Sequence, residues 1–460
     1  MKRTLIGGWI LATSALFSLA QEGSGGGALP EPTDHIDESR HVSLRERLRA
    51  SAATLPLEPL QKTAIVSYGW PLKALATFTD PGYHGISNYV DQDNSTTYRD
   101  FNCGNRTYNG HRGTDFYLTP FPWLMMDNAV IGVIAAEAGT VIGKDDGRYD
   151  RRCDWTTDPN WNAVYLRHAD GSISWYGHLK NGSLTSKGVG STVSKGEYLG
   201  KVGSSGQSTG PHLHFEAYAP NGALIDPFAG SCNALNGSTT WWLSQKNYYD
   251  SALIALKTHS AAPVYPACPS PELTYEKSVF APGKTIYFAS YFRDQQSGQV
   301  AQYRIYQPNG ALYTSWSKTF DTYYSSSYWY WWITYPANAA TGNWRFEVTF
   351  QGQTVSKSFS ISPITASEVE QPVSATLSAL YPNPFNTFVR TDVLVPNTQR
   401  VRVMLYNAIG QAQGIVYDGL LDGQTLHALE FPTVHLASGV WFWQIKGETF
   451  TQTLSAVKTR

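Results

Sequence analysis

The chain has 460 residues, of which 42% are hydrophobic and 15% charged, so it can form packed cores and is too long for one small domain. Lys and Arg number 35 against 36 Asp and Glu, a formal net charge of -1, which leaves no basic excess for nucleic-acid binding. The 40 Gly, 25 Pro and 13% aromatic residues favour a β-rich fold with many turns.

The N-terminus has the pattern of a secretory signal peptide over residues 1–20. Lys2 and Arg3 precede an apolar run from Leu5 to Leu19, which closes at the small residue Ala20. The run is too short and too interrupted to favour the alternative, a membrane anchor. We therefore expect export, a mature net charge of -1 - 2 = -3, and no transmembrane segment in the mature chain.

The next two segments differ sharply in composition. Residues 21–60 start with glycines and become charged, which predicts a linker or pro-segment with one short helix. Residues 61–268 alternate short apolar runs with Gly, Asn and Asp turns, and a helix is expected over 241–258. Strands are expected at 130–136, 163–167, 172–177 and 212–218. Prolines crowd residues 263–271, which indicates a domain boundary there.

The rest of the chain also predicts strands. Residues 269–362 have the length and turns of a β-sandwich, residues 363–376 are polar and predict a linker, and residues 377–460 predict a smaller β-sandwich. An aromatic run at 323–332 has two interpretations. In the first, the run forms a platform that binds glycan or cell wall. In the second, which we favour, alternate rings of the run fill the core of the sandwich.

The four cysteines indicate disulfides, because their number is even, the chain is expected to be exported and no C-x-x-C spacing occurs. Three connectivities are possible. We expect Cys103–Cys153 and Cys232–Cys268, since each pair brackets a loop-like segment.

Two histidines two residues apart mark a candidate site. In a strand, side chains at i and i+2 point to one face, so His212 and His214 project together while Leu213 and Phe215 face the other way. Two imidazoles on one rigid strand can serve one zinc site, in which one is a ligand and the other is a nearby acid or base. The alternative is that these are ordinary histidines without a ligand.

A second motif places His111 four residues before Asp115, where Gly110, Gly113 and Pro120 disfavour a helix. An irregular turn entering a strand would still bring both side chains to one point. Zinc accepts nitrogen and oxygen ligands, and a catalytic site usually has three protein ligands and one open position. An Asp turn or a surface pair is the alternative.

Taken together, three segments in this order resemble the lysostaphin/LytM-type zinc endopeptidases. The segments are His111–Asp115, Tyr176–Leu179 and Ser208–Glu216, with a matching Gly-rich stretch at 193–206. The resemblance covers about residues 65–232 and implies an antiparallel β-sheet peptidase core. It implies one Zn²⁺ per catalytic domain and a role for five of the motif residues. The implied ligands are His111, Asp115 and His214, and the implied catalytic residues are His178 and His212.

Two segments depart from the family pattern. The segment 117–128 is long and apolar, and the segment 144–162 adds a charged loop with a cysteine. The substrate of this protein therefore cannot be inferred from the substrates of other family members. We expect His168, Glu216 and Asp226 to be structural.

The C-terminal segment resembles the sorting domain of the bacterial type IX secretion system. The resemblance lies in Leu380–Phe385, Val403–Gln411, Leu436–Trp443 and the basic end, with Gly439-Val440-Trp441 in place of the usual Gly-x-Tyr. It implies that secretion machinery acts on this domain and that the protein is secreted or reaches the cell surface. A further β-sandwich without a sorting role is the alternative.

The sequence therefore predicts a mainly β protein with a peptidase core, a β-sandwich and a small C-terminal β-sandwich. We expect a secreted zinc metalloendopeptidase acting on peptidoglycan cross-links or on Gly/Ala-rich peptides. The alternative is a non-catalytic cell-surface or cell-wall binding protein with a peptidase-like domain.

Overall fold

A computed structural model describes residues 23–35, 38–56, 66–155, 159–268, 270, 272–363, 375–395, 398–423, 425–448 and 450–459. The predicted signal peptide, residues 1–20, and most of the predicted linker at 363–376 lie outside these residues. Within them, no helix combines the length and the apolar character needed to cross a membrane. The protein is mainly β, with several antiparallel sheets, as predicted.

The N-terminal segment packs against the rest of the protein through a strand and a helix. Its elements are β1 (Gly23–Ala28) and α1 (Glu38–Thr54). The buried side chains of α1 are His41, Leu44 and Leu48, which are three or four residues apart and so share one face of the helix. Leu44 and Leu48 lie in one apolar cluster with Trp161 and Trp175. The segment predicted as a linker or pro-segment is therefore docked on a folded domain.

The peptidase region consists of two antiparallel sheets. Its elements are β2 (Leu72–Ala74), β3 (His84–Asn88), β4 (Thr114–Leu118), α2 (Pro122–Asp127), β5 (Ile131–Ile134), β6 (Gly139–Asp145), β7 (Ala163–Arg167), β8 (Ile173–Gly177), β9 (Thr192–Val193), β10 (Tyr198–Lys201), β11 (His212–Tyr218) and β12 (Leu224–Ile225). The large sheet has the order β3-β4-β11-β8-β7-β6-β9, with β12 beside β11, and the small sheet has the order β10-β5-β2. Phe116 and Phe215 of the large sheet share a core with Val133 of the small one, which leaves the other face of β4 and β11 for the site.

The next region is a β-sandwich. Its strands are β13 (Ala252–His259), β14 (Val279–Phe280), β15 (Thr285–Gln295), β16 (Val300–Tyr306), β17 (Leu312–Thr319), β18 (Tyr324–Thr334), β19 (Gly342–Phe350) and β20 (Gln353–Ile361). The two sheets are β1-β18-β15-β13 and β14-β20-β19-β16-β17, with Phe288, Trp331 and Phe346 between them. Strand β13 precedes the predicted boundary after Cys268, yet it completes the first sheet.

The C-terminal region forms two smaller sheets. Its strands are β21 (Thr376–Leu377), β22 (Phe388–Leu394), β23 (Gln399–Tyr406), β24 (Ala412–Leu421), β25 (Leu426–Pro432), β26 (Gly439–Lys446) and β27 (Thr451–Lys458). The orders are β21-β22-β25 and β24-β23-β26-β27. Phe385, Leu405 and Trp443 lie in the core that the two sheets share. The small C-terminal β-sandwich is present as predicted.

Both predicted disulfide pairs are wrong. Cys103 bonds to Cys232, and Cys153 bonds to Cys268. The amide of Cys232 donates a hydrogen bond of 2.9 Å to the carbonyl of Phe101, which brings two distant loops together. Proximity in sequence was a poor guide to the pairing, because the bonded cysteines are 129 and 115 residues apart.

The helix predicted over 241–258 is also wrong. Residues 252–259 form β13, and the residues before it are irregular. The backbone there bonds to Tyr68 instead of forming helical turns, through the carbonyl of Trp241 and the amide of Leu243, at 2.7 and 2.8 Å. Trp242 lies in the peptidase core, so tertiary packing overrides the local preference.

Candidate metal centre and catalytic site

Two neighbouring strands carry three of the predicted site residues. The register of antiparallel β4 and β11 pairs Asp115 with His214. Paired residues on adjacent strands point to the same face, so Nδ1 of His214 lies 2.9 Å from Oδ1 of Asp115. His212 shares this face, two residues before His214, while Leu213 and Phe215 lie in the core behind it. The alternation predicted for this strand is present.

The other two predicted residues come from segments next to strands. His111 lies three residues before β4, and its Nε2 is 3.1 Å from Oδ2 of Asp115. His178 directly follows β8 with a φ of 58°, and its ring centroid lies 4.5 Å from that of His212. All five side chains are buried. The structure thus brings every predicted ligand and catalytic residue to one place, while the role of each remains a prediction.

Backbone carbonyls orient three of the four imidazoles. A carbonyl oxygen only accepts, so the Nδ1 that faces it donates, and Nε2 of the neutral ring keeps its lone pair. This applies to His111, His178 and His212, whose Nδ1 atoms lie 2.7, 2.6 and 2.8 Å from the carbonyl oxygens of Tyr89, Ser205 and Gly210. Three Nε2 atoms are therefore available to the centre as ligands or proton acceptors.

His214 is oriented the other way round, by a residue predicted to be only structural. Its Nε2 lies 2.8 Å from Oε1 of the fully buried Glu216, which accepts the ring hydrogen and leaves Nδ1 for the centre. Asp115 is held similarly, because Asn88 donates a hydrogen bond of 3.0 Å from Nδ2 to its Oδ2. Glu216 and Asn88 thus hold the side chains of His214 and Asp115, two predicted ligands, in place, and metal sites commonly have such supporting residues.

Sequence reasoning missed one residue of the centre, Asp34. Its Oδ2 lies 2.7 Å from Nδ1 of His214 and 2.9 Å from Nε2 of His178, and its Oδ1 accepts a hydrogen bond from Tyr108. Asp34 belongs to both groups of side chains whose donor atoms could share one metal ion. The two groups are Asp34, His178, His212 and His214, and Asp34, His111, Asp115 and His214.

Backbone pairing holds Asp34 in the centre. The amide of Thr209 donates to the carbonyl of Thr33 at 2.9 Å, and the amide of His35 donates to the carbonyl of Gln207 at 3.2 Å. Residues 33–35 therefore lie along 207–209 like a short added strand. The contacts of Asp34 with His178 and with the residues that follow it link positions 144 or more residues apart. Neither spacing nor periodicity within residues 21–60 could have indicated contacts of this range.

The donor set fits a divalent cation. Nε2 of His178 and Oδ2 of Asp34 are close although neither carries a hydrogen when the ring is neutral. The buried Nε2 atoms of His111 and His212 have no hydrogen-bond partner within the described part of the chain. A cation among these atoms would satisfy nitrogen and carboxylate oxygen together, and zinc accepts both kinds of donor.

The buried carboxylates of Asp34 and Asp115 give the centre its negative charge. Burial alone would raise the pKa of Asp34, but the positive charge of His214 holds this pKa well below its ordinary value. Burial lowers the pKa of His178, and the neighbouring His212 acts in the same direction. The centre therefore combines fixed negative charge, which a cation requires, with a neutral imidazole, which a proton acceptor requires.

Small and large residues shape the space around His214. A Cβ on Gly113 would lie 2.6 Å from the His214 ring, so glycine lets β4 approach β11 at this point. Trp161 packs on the other side, with its ring centroid 4.9 Å from that of His178 and 5.6 Å from that of His214. His168, predicted to be structural, binds the carbonyl of Ala138 and belongs to neither candidate metal group.

The comparison with known families agrees with this geometry. Residues 123–227 match the model of peptidase family M23. The matched span contains His178, His212 and His214, whereas His111 and Asp115 lie just before it. The predicted LytM-type domain is thus confirmed as an M23 peptidase domain.

Curated relatives match short parts of the chain. DD-carboxypeptidase/endopeptidase Mpg of Neisseria meningitidis serogroup B is 50% identical over 66 residues, which are 14% of this chain and 14% of that relative. Glycyl-glycine endopeptidase ALE-1 of Staphylococcus capitis is 29% identical over 143 residues, 30% of this chain and 34% of that relative. The chain thus spans only a minor part of each relative. A crystal structure assigned to a peptidase M23 of Pseudomonas aeruginosa covers 42% of this chain and 61% of that chain at 22% identity, with a TM-score of 0.24.

Proposed function

We propose that the protein is a secreted zinc metalloendopeptidase that hydrolyses peptide bonds in peptidoglycan cross-links or in Gly/Ala-rich peptides. The observation that carries this proposal is the convergence of His111, Asp115 and His214 on one buried point, with His178 and His212 beside it. The names of the relatives, which include peptidoglycan and glycyl-glycine endopeptidases, support the substrate class.

Each site residue has a proposed task. His111, Asp115 and His214 would hold the zinc ion, through Nε2, a carboxylate oxygen and Nδ1. When bound, zinc polarises the peptide carbonyl and makes water more acidic. Of His178 and His212, one would accept the proton of the attacking water on Nε2. The other, in its protonated form, would donate a hydrogen bond from Nε2 to the carbonyl oxygen as this oxygen gains negative charge. Their Nδ1 contacts to backbone carbonyls fix both rings for this work.

The N-terminal segment is proposed to act as a pro-segment that keeps the centre closed. Asp34 lies within 3 Å of ligand and catalytic nitrogens, on the face that a substrate carbonyl would have to approach. Displacing residues 33–35 would free both His178 and the edge at 207–209. Proteolytic removal or displacement of this segment is the proposed route to the active enzyme.

The test compares two histidine variants in the Asp34→Ala protein. His214→Ala should lose both zinc and hydrolysis of purified cell walls, whereas His178→Ala should keep zinc and lose hydrolysis. Metal content and the fall in turbidity of a wall suspension, with and without a chelator, measure the two properties. His427→Ala, in the C-terminal region, serves as the matched control. Full zinc in the His214→Ala protein would refute the ligand set, and no hydrolysis in the Asp34→Ala parent would favour the non-catalytic binding protein.

Export is proposed to occur in two steps, through the signal peptide at 1–20 and the sorting domain at 377–460. The small β-sandwich formed by β21 to β27 is compatible with such a domain. Deleting residues 377–460 should leave the protein in the periplasm of its producing cell. Undiminished secretion of the truncated chain would refute the sorting role.

A further inference from the structure

A glycine-rich strand occupies an edge of the β-sandwich. β1, with the sequence Gly-Ser-Gly-Gly-Gly-Ala, pairs antiparallel with β18 over its whole length. β18 has β15 on its other side, so β1 covers the only edge of β18 that the sheet order leaves open among the described strands. Main-chain hydrogen bonds of this kind do not depend on side chains, so any selection must come from the surface beside the edge.

That surface is a ladder of three aromatic rings. Tyr328, Tyr330 and Trp332 alternate along β18 and lie opposite Gly27, Gly25 and Gly23. The ring centroids of Tyr328 and Tyr330 are 6.1 Å apart, as are those of Tyr330 and Trp332, with planes 21° and 33° from parallel. Trp331, which lies between Tyr330 and Trp332 in the sequence, points into the sandwich core. Tyr328, Tyr330 and Trp332 therefore lie beside the edge that β1 occupies, where Tyr328 and Tyr330 also pack against the apolar cluster that contains Leu29 and Tyr291.

At two positions of that strand, the rings as they lie occupy the space that a Cβ would need. A Cβ on Gly23 would lie 2.1 Å from a ring carbon of Trp332, and a Cβ on Gly25 would lie 2.4 Å from the hydroxyl oxygen of Tyr330. Each ring thus covers the glycine opposite it, an arrangement that stabilises glycine in sheets.

The backbone excludes side chains at a third position. Gly26 has a φ of +129°, and a Cβ there would lie 2.2 Å from the carbonyl oxygen of Tyr328. Gly27 also has a positive φ, +152°. Ser24, in contrast, is exposed. The edge therefore accepts the pattern Gly-x-Gly-Gly, in which x is unrestricted.

We propose that the edge of β18, with Tyr328, Tyr330 and Trp332, is a binding site for extended glycine-rich peptides, and that β1 is its occupant within the chain. Such a peptide would add a strand to the sheet, as β1 does, and would compete with β1 for the edge. The partner is an extended peptide segment with the pattern Gly-x-Gly-Gly.

The site goes beyond the proposed peptidase function and does not depend on the metal centre. The site would nevertheless assist the peptidase, because only five residues separate Ala28 from Asp34. Six Cα–Cα steps reach at most about 20 Å. A glycine-rich peptide held on β18 would then lie close enough for its continuation to enter the centre.

The first experiment releases β1 in the otherwise intact protein. Gly25→Val should release the strand, because the Tyr330 ring would have to move aside for the valine side chain, whereas Ser24→Val should not. Hydrogen exchange of residues 23–28, measured by mass spectrometry, should speed up at least tenfold in the first variant and remain slow in the second. An unchanged melting temperature of the rest of the protein confirms folding, and Gly23→Val, which faces Trp332, provides a second releasing variant. Retained protection in both releasing variants would overturn the proposal.

The second experiment adds the peptide Gly-Ser-Gly-Gly-Gly-Ala to the Gly25→Val protein. We expect saturable binding, followed by tryptophan fluorescence and by renewed slow exchange in β18. A peptide with valine at its third position should bind at least tenfold more weakly, and one with valine at its second position should bind equally well. The wild-type protein should also bind at least tenfold more weakly, because the tethered β1 acts at an effective concentration of about 1 mM. No binding, or equal binding of all three peptides, would refute the site, whatever the outcome of the wall-hydrolysis assay.

Discussion

Glu216→Gln should weaken metal binding although Glu216 donates no ligand to the centre. Oε1 of Glu216 lies 2.8 Å from Nε2 of His214 and 2.8 Å from Nε2 of His41, which reaches it from helix α1. The carboxylate keeps the hydrogen of His214 on Nε2, so that Nδ1 can face the cation. A glutamine has nearly the same shape but no charge, and it holds that hydrogen less firmly.

The expected loss follows from the position of Glu216 behind the ligand. Removing an outer partner of a ligating histidine typically lowers metal affinity or activity by about 10- to 100-fold, which corresponds to about 1.4–2.7 kcal/mol. Glu216 is fully buried and water cannot replace it, so the upper half of this range is expected.

Zinc affinity is measured by competition with a chromophoric chelator, and wall hydrolysis is measured in parallel in the Asp34→Ala background. Tyr218→Phe is the matched control, because it removes the hydroxyl that bonds to Oε2 and leaves Oε1 in place. Its effect on zinc affinity should be much smaller. If Glu216→Gln binds zinc as tightly as its parent, Glu216 does not control the ring of His214.

Three further outcomes follow from other contacts. Asp34→Ala should raise wall hydrolysis more than about tenfold, because a tethered blocker acts at an effective concentration of about 1 mM, and unchanged activity with full zinc would contradict the closed state. Burial raises the pKa of Asp226 to about 8, so between about pH 4 and pH 8 the folded state holds a proton that the unfolded state releases. The free energy of unfolding should therefore fall by up to about 1.4 kcal/mol per pH unit as pH rises, and urea denaturation of Asp226→Asn should show a flatter dependence. An identical slope in both proteins would refute this. Peptide mapping without reduction should find Cys103 linked to Cys232, and any Cys103–Cys153 peptide would disprove the observed pairing.

The strands and the ligand face could be predicted from the sequence because both follow from local rules. The alternation in His212–Phe215 specifies which side chains face the core, and it needs no partner strand to do so. The convergence of His111 and His178 with that strand came from the resemblance of the motifs, since no spacing rule connects them. Prediction of these features succeeded in two cases. In one, the direction of a side chain is set within a single strand, and in the other, the order of the motifs indicates which residues converge.

The remaining features depend on which distant segments meet. The disulfide of Cys103 with Cys232 and the irregular backbone at Trp241 are both determined by contacts with loops far away in sequence. Asp34 has no local signal at all, because its role depends on the pairing of residues 33–35 with 207–209. Local periodicity could indicate none of these features.

The proposed zinc centre would also link metal uptake to correct folding of the sheet, through the pairing of Asp115 with His214. Side chains alternate along a strand, so a slip of β4 by one residue would turn Asp115 towards the core and bring an apolar neighbour to the centre. Such a misaligned chain would offer an incomplete set of donors and would hold a cation poorly. Zinc would then bind preferentially to correctly assembled molecules and so act as a check on their assembly.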